Sequence, residues 1–446
     1  MSILFTDNSS FKLNLLSEMQ DDSKEAFLDG LHAIADVDIA ELKNSSRFLF
    51  FTNRDKIEDK HIISVERSQK EDYSIVTGNI VGFVGVNDVQ VSIISRFAQD
   101  EKSDYFLHYM LSKVFNINLL NLEHGEEKGS LFDFLVFLFP FFLGRAMRKG
   151  LYRAYNTFKY NDASIKGPVN VSRFLINDVP FMGRIAYDKR EYSTDNSLTE
   201  LVRHTIEFIR SSAFASIVRD GDAAADAKRI IEVTPSYDRA KREAIINRNL
   251  RTIRHPYYSE WTDLQIVCLM ILRHTKINYA EAKDKIYGIV FDVAWLWEEY
   301  LNTLLRPDGF IHPKNKTGEG KIFLFDNETG ERYPDFYNEY CVLDAKYKRF
   351  ENKGSVSSID RDDLHQMITY IHVLKNHPRN GVFLFPVKSK ELLPVKGQKL
   401  NGHGGWIKAE GLLIPQGTHT FREFSEQMEK NAKDFSNRVR ALNDSL

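Results

Sequence analysis

The chain has 446 residues, with 60 Lys and Arg against 62 Asp and Glu, for a formal net charge of −2. That balance excludes a polycation that would coat nucleic acid by bulk attraction. Hydrophobic content of 43% and charged content of 27% are ordinary for a globular protein, and the length predicts two or three domains.

Taken in chain order, Met1 to Asp7 has no basic stretch followed by an apolar core, so no signal peptide is read there. Ser23 to Ala35 places Phe27, Leu28, Leu31, Ile34 and Ala35 on one helical face. Strands are predicted at Phe48 to Phe51, His61 to Val65, Tyr73 to Val76, Asn79 to Val86 and Val89 to Phe97, the last two forming a hairpin at Asn87-Asp88. From Asp104 to about Leu305 the pattern is mainly helical, with a capping-box spelling at Ser197-Leu-Thr-Glu200. Leu131 to Leu143 is almost wholly apolar, yet too short to span a bilayer and interrupted by Asp133 and Pro140, so a buried helix or strand is expected. A long helix is predicted from Tyr279 to Leu305, then strands at Lys321–Asp326, Arg332–Tyr337 and Tyr340–Lys348. A helix from Asp360 to Lys375 turns Leu364, Met367, Ile368, Ile371 and Leu374 to its apolar side, and Gly381 to Val387 reads as the buried centre of a sheet. A final amphipathic helix closes the chain. The fold class expected is α+β multidomain: a β-rich region over 1–150, a mainly helical region over 151–275 and an α/β core over 276–446. The only cysteines, Cys268 and Cys341, give neither a disulfide framework nor a zinc site, which points to a reducing, cytoplasmic setting.

Chemistry concentrates between Tyr333 and Tyr370. Asp335 and Asp344 stand close to Lys346 on what reads as a β-hairpin. Two carboxylates suit a hard divalent cation, and a lysine suits the charge that builds on a phosphate during hydrolysis, so the grouping predicts a nuclease. Alternation puts Asp344, Lys346 and Lys348 on one strand face. A two-residue turn at Asn338-Glu339 would set Tyr337 opposite Tyr340 and Asp335 opposite Val342, leaving the aspartates diagonal neighbours at about 7–8 Å between backbones. A short pattern of this kind also arises by chance on solvated strands, and its context decides.

With this order of elements, Pro334-Asp335 and Asp344-Ala-Lys346 resemble the PD-(D/E)xK nuclease fold. More narrowly, the chain resembles the McrC family, the nuclease subunit of McrBC-type 5-methylcytosine-specific restriction systems. Leu296-Trp-Glu-Glu-Tyr-Leu301, Tyr333-Pro-Asp335 with Asp344-Ala-Lys346-Tyr-Lys348, and Asp363-Leu-His-Gln-Met-Ile-Thr-Tyr370 carry the likeness. Fainter matches run through Gly82 to Gly85, Ile93 to Phe97, Gly150 to Tyr155, Lys166 to Val171 and Asp195-Asn196, and Ser95-Arg96 stands where that family carries Pro-Lys. The resemblance implies that Asp335 and Asp344 are metal ligands, Lys346 the catalytic lysine, and Glu298 an acidic residue holding the metal or its water. Gln366 would lie beside the site. It also implies Mg2+ (or Mn2+) as cofactor, DNA as substrate, and a separate McrB-like AAA+ GTPase motor that docks on residues 1–150, with no membrane role. On spacing alone, Glu298 reads equally as a solvated helix charge, Lys348 as a phosphate contact or a solvated side chain, and Tyr370 as part of a polar helix face opposite the apolar stripe. The run Arg239, Lys241, Arg242, Arg248, Arg251 and Arg254 is either a phosphate contact or a solvated helix. No Walker motif occurs, so nucleotide hydrolysis is assigned to a partner. A stand-alone repair or branched-DNA nuclease and a motor-activating scaffold are the competing readings.

Overall fold

The computed structural model describes residues 2–12, 21–42, 48–52, 60–67, 73–86, 89–99, 104–115, 131–212, 214–220, 223–273, 286–314, 318–349, 359–374, 380–390, 397–402 and 405–442. The predicted turn at Asn87-Asp88 and the part of the predicted long helix before residue 286 lie outside them. The chain is a mixed α+β protein whose contacts divide it into two compact units, Met1–Lys128 with Tyr279–Leu446, and Gly129–Asn278.

The first unit holds a sheet whose strands run in the order Ser2–Thr6, Val89–Ile94, Ile80–Val86, Tyr287–Asp292 and Phe48–Phe51. The fourth of these corrects the sequence reading. Tyr287 to Asp292 is a strand, and the helix begins only at Val293. The run Tyr-Gly-Ile-Val-Phe carries a β-branched pair that helical spacing did not distinguish from a helix face. Asp292 then stops the strand and starts the helix, accepting from the amides of Ala294 and Trp295 at 3.0 and 3.1 Å. The strand can lie antiparallel to Ile80–Val86 because glycines face it. A Cβ on Gly82, which has φ +131°, would meet the Ile289 carbonyl oxygen at 2.2 Å. This apolar sheet covers the helix Asp21–Ala35 through Phe27, Leu31 and Ile34.

The same unit holds a second sheet, ordered Phe336–Tyr337, Cys341–Ala345, Asn380–Val387, Trp406–Leu413 and Gln398–Lys399. Its three central strands are parallel and its edges antiparallel. Every residue of Asn380–Val387 is buried, as the unbroken apolar run predicts for a central strand. The helix Arg361–Val373 links two parallel strands and packs Met367, Tyr370 and Ile371 on Val342 and Phe383. Ile368, expected on that apolar side, is instead exposed, and Tyr370, expected on the polar face, is in the core. The closing helix is Phe421–Ala441, with Phe424, Met428 and Phe435 buried. The strand Trp406–Leu413 escaped the sequence reading.

The second unit is largely helical. Helix Leu131–Arg148 packs on helices Ser259–Arg273 and Ala223–Glu232, and Ser197–Arg210 packs on Ser259–Arg273 and Arg242–Asn249. The apolar 131–143 run is therefore helical, and no helix among the described residues is long and apolar enough to cross a membrane. The N-cap of Ser197–Arg210 is Asn196, reciprocated by Thr199, one residue before the predicted box. Against the helical expectation, Ala154–Asp162 and Ile185–Ser193 form an antiparallel ribbon. Between them the helix Val171–Asn177 has no buried residue, and Ile176 and Met182 are 79% and 82% exposed. Polar Asn156 and Asp162 on the half-buried face of the first strand break the apolar period that a sequence would show.

Candidate active site

Asn338 sets the hairpin that carries the two aspartates. Its side chain accepts from the amides of Tyr340 and Cys341, both at 2.9 Å, and its own amide donates to the Cys341 carbonyl at 3.0 Å. The two-residue turn is thus Glu339-Tyr340, one residue later than the spacing suggested. Tyr337 pairs with Val342 and Phe336 with Leu343. One step further along, Asp335 comes opposite Asp344 instead of diagonal to it, on the same face as expected. The Asp335 carboxylate is fixed by the Ala345 amide, which donates to it at 2.7 Å.

Asp344 is only 3% exposed, on the face covered by helix Arg361–Val373. Lys346 follows on that face and places its ammonium 2.8 Å from Asp344 Oδ2 and 3.0 Å from Asp363 Oδ1. The approach to Asp344 Oδ2 is close enough for an ion pair but off the line for a hydrogen bond, so this buried oxygen accepts none. Burial, then the Asp335 charge, push the Asp344 carboxyl up to about 7, against the pull of Lys346. For Lys346, burial favours the neutral amine, but Asp344, Asp335 and Asp363 together outweigh it and raise its pKa. Asp363 moves the other way: burial is outweighed by Lys346 and Lys348, and its pKa falls. The result is a compact acid–lysine cluster with more carboxylate than ammonium.

The remaining sequence candidates divide. Lys348 is exposed and pairs with the second oxygen of Asp363 at 3.0 Å. Gln366 donates to the Tyr370 hydroxyl at 2.8 Å, and that hydroxyl feels the charges of Asp335, Asp344 and Lys346, so both stand beside the cluster. Glu298 is half-buried on helix Val293–Leu305; burial lowers the pKa of the nearby His312, but Glu299 and the Asp335 carbonyl outweigh it and raise it, with Glu298 adding the least. His312 in turn lies 2.7 Å from the Asp335 carbonyl, 3.6 Å from Glu299, and stacked on Phe336. Asp363 and His312 were not read as site residues. Asp363 sits in the first turn of its helix, where an acid is ordinarily explained by the helix dipole, and His312 carries no spacing signal.

Comparison with known proteins decides the kinship. The family model for the McrBC 5-methylcytosine restriction system component matches residues 75–386. The chain belongs to that family. Among solved structures, a refined half-complex from a tetradecameric assembly of Thermococcus gammatolerans McrB AAA+ hexamers with bound McrC matches with a TM-score of 0.55 at 15% identity, covering 98% of this chain and 100% of that one. The cryo-EM structure of the Thermococcus gammatolerans McrBC complex matches at 14% identity with a TM-score of 0.34, covering 69% of this chain and 87% of that one. The first likeness speaks for a shared fold. A search of curated proteins returns no match.

In this McrBC-family chain the far end of the site strand is anchored by the N-terminal sheet. Arg96 pairs with Asp7, its Nε 2.8 Å from Asp7 Oδ2, and both side chains are buried. Its Nη1 donates to the Tyr347 carbonyl at 3.2 Å, while Ser95 Oγ lies 2.6 Å from the Tyr347 hydroxyl. Tyr347 stands between the two cluster lysines, so the McrBC-family fold ties Lys346 and Lys348 to the first sheet. As it stands, no three His, Cys, Asp or Glu side chains among the described residues form a ready metal cage. The groups that could hold a cation are Asp335 and Asp344. Both donate only oxygen, the donor that suits a hard divalent cation.

Proposed function

We propose that this chain is the DNA-cleaving, McrC-like subunit of a modification-dependent restriction complex, with a PD-(D/E)xK core formed by the second sheet and its helices. The observation that carries the reading is the buried Asp344 opposite Asp335, with Lys346 bridging Asp344 and Asp363. A carboxyl whose pKa is raised to about 7 by burial and a neighbouring carboxylate is a recurrent mark of a working site. Asp335 and Asp344 would hold Mg2+ or Mn2+. When bound, such an ion polarises the phosphate and lowers the pKa of a water. Lys346 presents its ammonium where charge builds on the phosphoryl oxygens, and Gln366 with Tyr370 lines the approach. Glu298, half-buried on helix Val293–Leu305, would hold the metal or its water, and its neighbour Glu299 pairs with the His312 that faces the Asp335 carbonyl.

The partner we infer is an AAA+ GTPase motor; the Thermococcus half-complex holds McrB AAA+ hexamers with bound McrC. The exposed apolar surface around Ile176, Phe181 and Met182 supports a protein contact, because monomers rarely leave such residues clustered in water. This adds the segment between the two ribbon strands to residues 1–150 as a proposed contact.

The test is cleavage of modified DNA by the chain with its cognate motor. Asp335→Ala, Asp344→Ala and Lys346→Ala should each abolish cleavage with the fold intact. Mg2+ or Mn2+ should restore activity after EDTA, while Ca2+ supports binding without turnover. Full cleavage by Asp344→Ala, or activity surviving exhaustive EDTA, would sink the assignment.

A further inference from the structure

We propose that the helical unit carries its own contact for the phosphate backbone of duplex DNA, a basic and aromatic patch made by residues 148–153 and 251–257. The two segments are locked together. The Trp261 indole donates to the Gly150 carbonyl at 3.0 Å, Tyr152 stacks edge-on against Tyr258 at 5.2 Å, and the Lys149 ammonium lies 5.6 Å over the Tyr257 ring.

The loop after Asn249 is shaped from inside by one buried amide. Gln265, 1% exposed, donates to the carbonyls of Asn249 and Arg251 at 2.9 and 3.3 Å and accepts from the Ile253 amide at 3.0 Å. Thr262 adds a bond to the Ile253 carbonyl at 3.2 Å. With the loop's peptide groups satisfied inward, Arg251 and Arg254 are exposed on a fixed backbone, as are Arg153 opposite and Tyr257, the last at 57%. Among the described residues none of these three arginines forms an ion pair. The neighbouring carboxylates are taken: Glu260 lies 3.5 Å from Lys149, and Asp263 4.0 Å from Arg145.

Of the basic run noted in the sequence, Lys241 pairs with Asp238 at 3.3 Å and Arg242 lies over the Phe208 ring. The fold thus engages Lys241 and Arg242 of that run, and leaves Arg251 and Arg254, on the loop held by Gln265, to act with Arg153. Uncommitted guanidinium forks on a rigid loop match phosphate oxygens, and they lose little freedom on binding. In a chain of net charge −2, such a local excess is the electrostatic footprint of a backbone contact.

The inference rests on the chain acting on DNA, and is independent of the nuclease site. The experiment is fluorescence anisotropy of a labelled 30-base-pair duplex with the full chain in EDTA, over a salt series. Each lost phosphate contact should flatten the log K against log salt slope by about 0.9, so Arg153→Glu/Arg251→Glu/Arg254→Glu should lose about 2.7 units of slope. The triple Lys variant should keep nearly the wild-type slope, and Tyr257→Ala should weaken binding several-fold with the slope unchanged. Cleavage by the same proteins is read separately, with Mg2+ and the cognate motor; if none cleaves there but the Glu variant still loses binding in EDTA, the nuclease reading fails and this one stands. Wild-type slope in the Glu variant, or no salt-dependent binding by the wild type, overturns the proposal. So does loss of the complex with the AAA+ partner while DNA binding is intact, which would assign the patch to that protein.

Discussion

Asp344→Asn should make the metal-free protein more stable, with a gain that depends on pH. In the folded state the Asp344 carboxyl titrates at about 7, against an ordinary 3.8. Between those values the folded protein binds a proton that the unfolded chain does not, so the wild type loses stability as pH rises through that window. Three pK units correspond to about 4 kcal/mol, the ceiling on what removing the charge can return above pH 7. Removing one member of a buried pair is usually destabilising, because its partner is stranded. Here Lys346 keeps Asp363 at 3.0 Å, so the offset is partial, and a net gain of about 2 kcal/mol is expected near pH 8. Near pH 3, below both values, the wild-type carboxyl is mostly neutral in both states and asparagine is close to its isostere, so the two proteins should converge. The assay is the urea midpoint in EDTA at both pH values, with the m-value checked for constancy. Titrating Mg2+ at the higher pH should then stabilise the wild type alone, by about 1.4 kcal/mol at tenfold over Kd. A pH-independent loss of stability in the variant would refute the reasoning, because it would make Asp344 an ordinary satisfied carboxylate.

Arg96→Ala should cost about 3–5 kcal/mol in urea unfolding, because it leaves the Asp7 charge buried without its partner; a loss under about 1 kcal/mol would refute the anchoring role. Ile176→Asp/Met182→Asp should leave folding within about 0.5 kcal/mol of wild type, since both side chains are exposed. The same pair should abolish the nucleotide-dependent complex with the motor and its stimulated GTP turnover. A complex of undiminished affinity, measured by size-exclusion chromatography, would place the contact elsewhere.

The nuclease-like half was legible because its signals are local. Pro334-Asp335 and Asp344-Ala-Lys346 lie on adjacent strands, and a shift of one residue in the turn changed the pairing without changing the face. What stayed hidden depends on distant pairing. Asp363 becomes a site neighbour only when its helix docks on the sheet, and Arg96 reaches Tyr347 across 251 positions of sequence. The ribbon at Ala154–Asp162 and Ile185–Ser193 failed for another reason: burial alternates along its first strand, but Asn156 and Asp162 stand on the sheltered face and Tyr155 on the exposed one, so polarity does not alternate with it. Tyr287–Asp292 misled because it is apolar on both sides and runs directly into a true helix.

That strand has a consequence for how the protein is made. Tyr287–Asp292 is the fourth of five strands in the first sheet, between Ile80–Val86 and Phe48–Phe51. During synthesis the first four strands to leave the ribosome must wait for the whole helical unit before the sheet can close. Until then two inner edges are bare, an invitation to mispairing that chaperones would have to cover. The gene therefore cannot be divided into a free-standing front half and a half carrying the second sheet. A fragment ending near Arg254 would lack the strand that joins Phe48–Phe51 to its sheet, and separating the activities of this protein requires point substitutions in the intact chain.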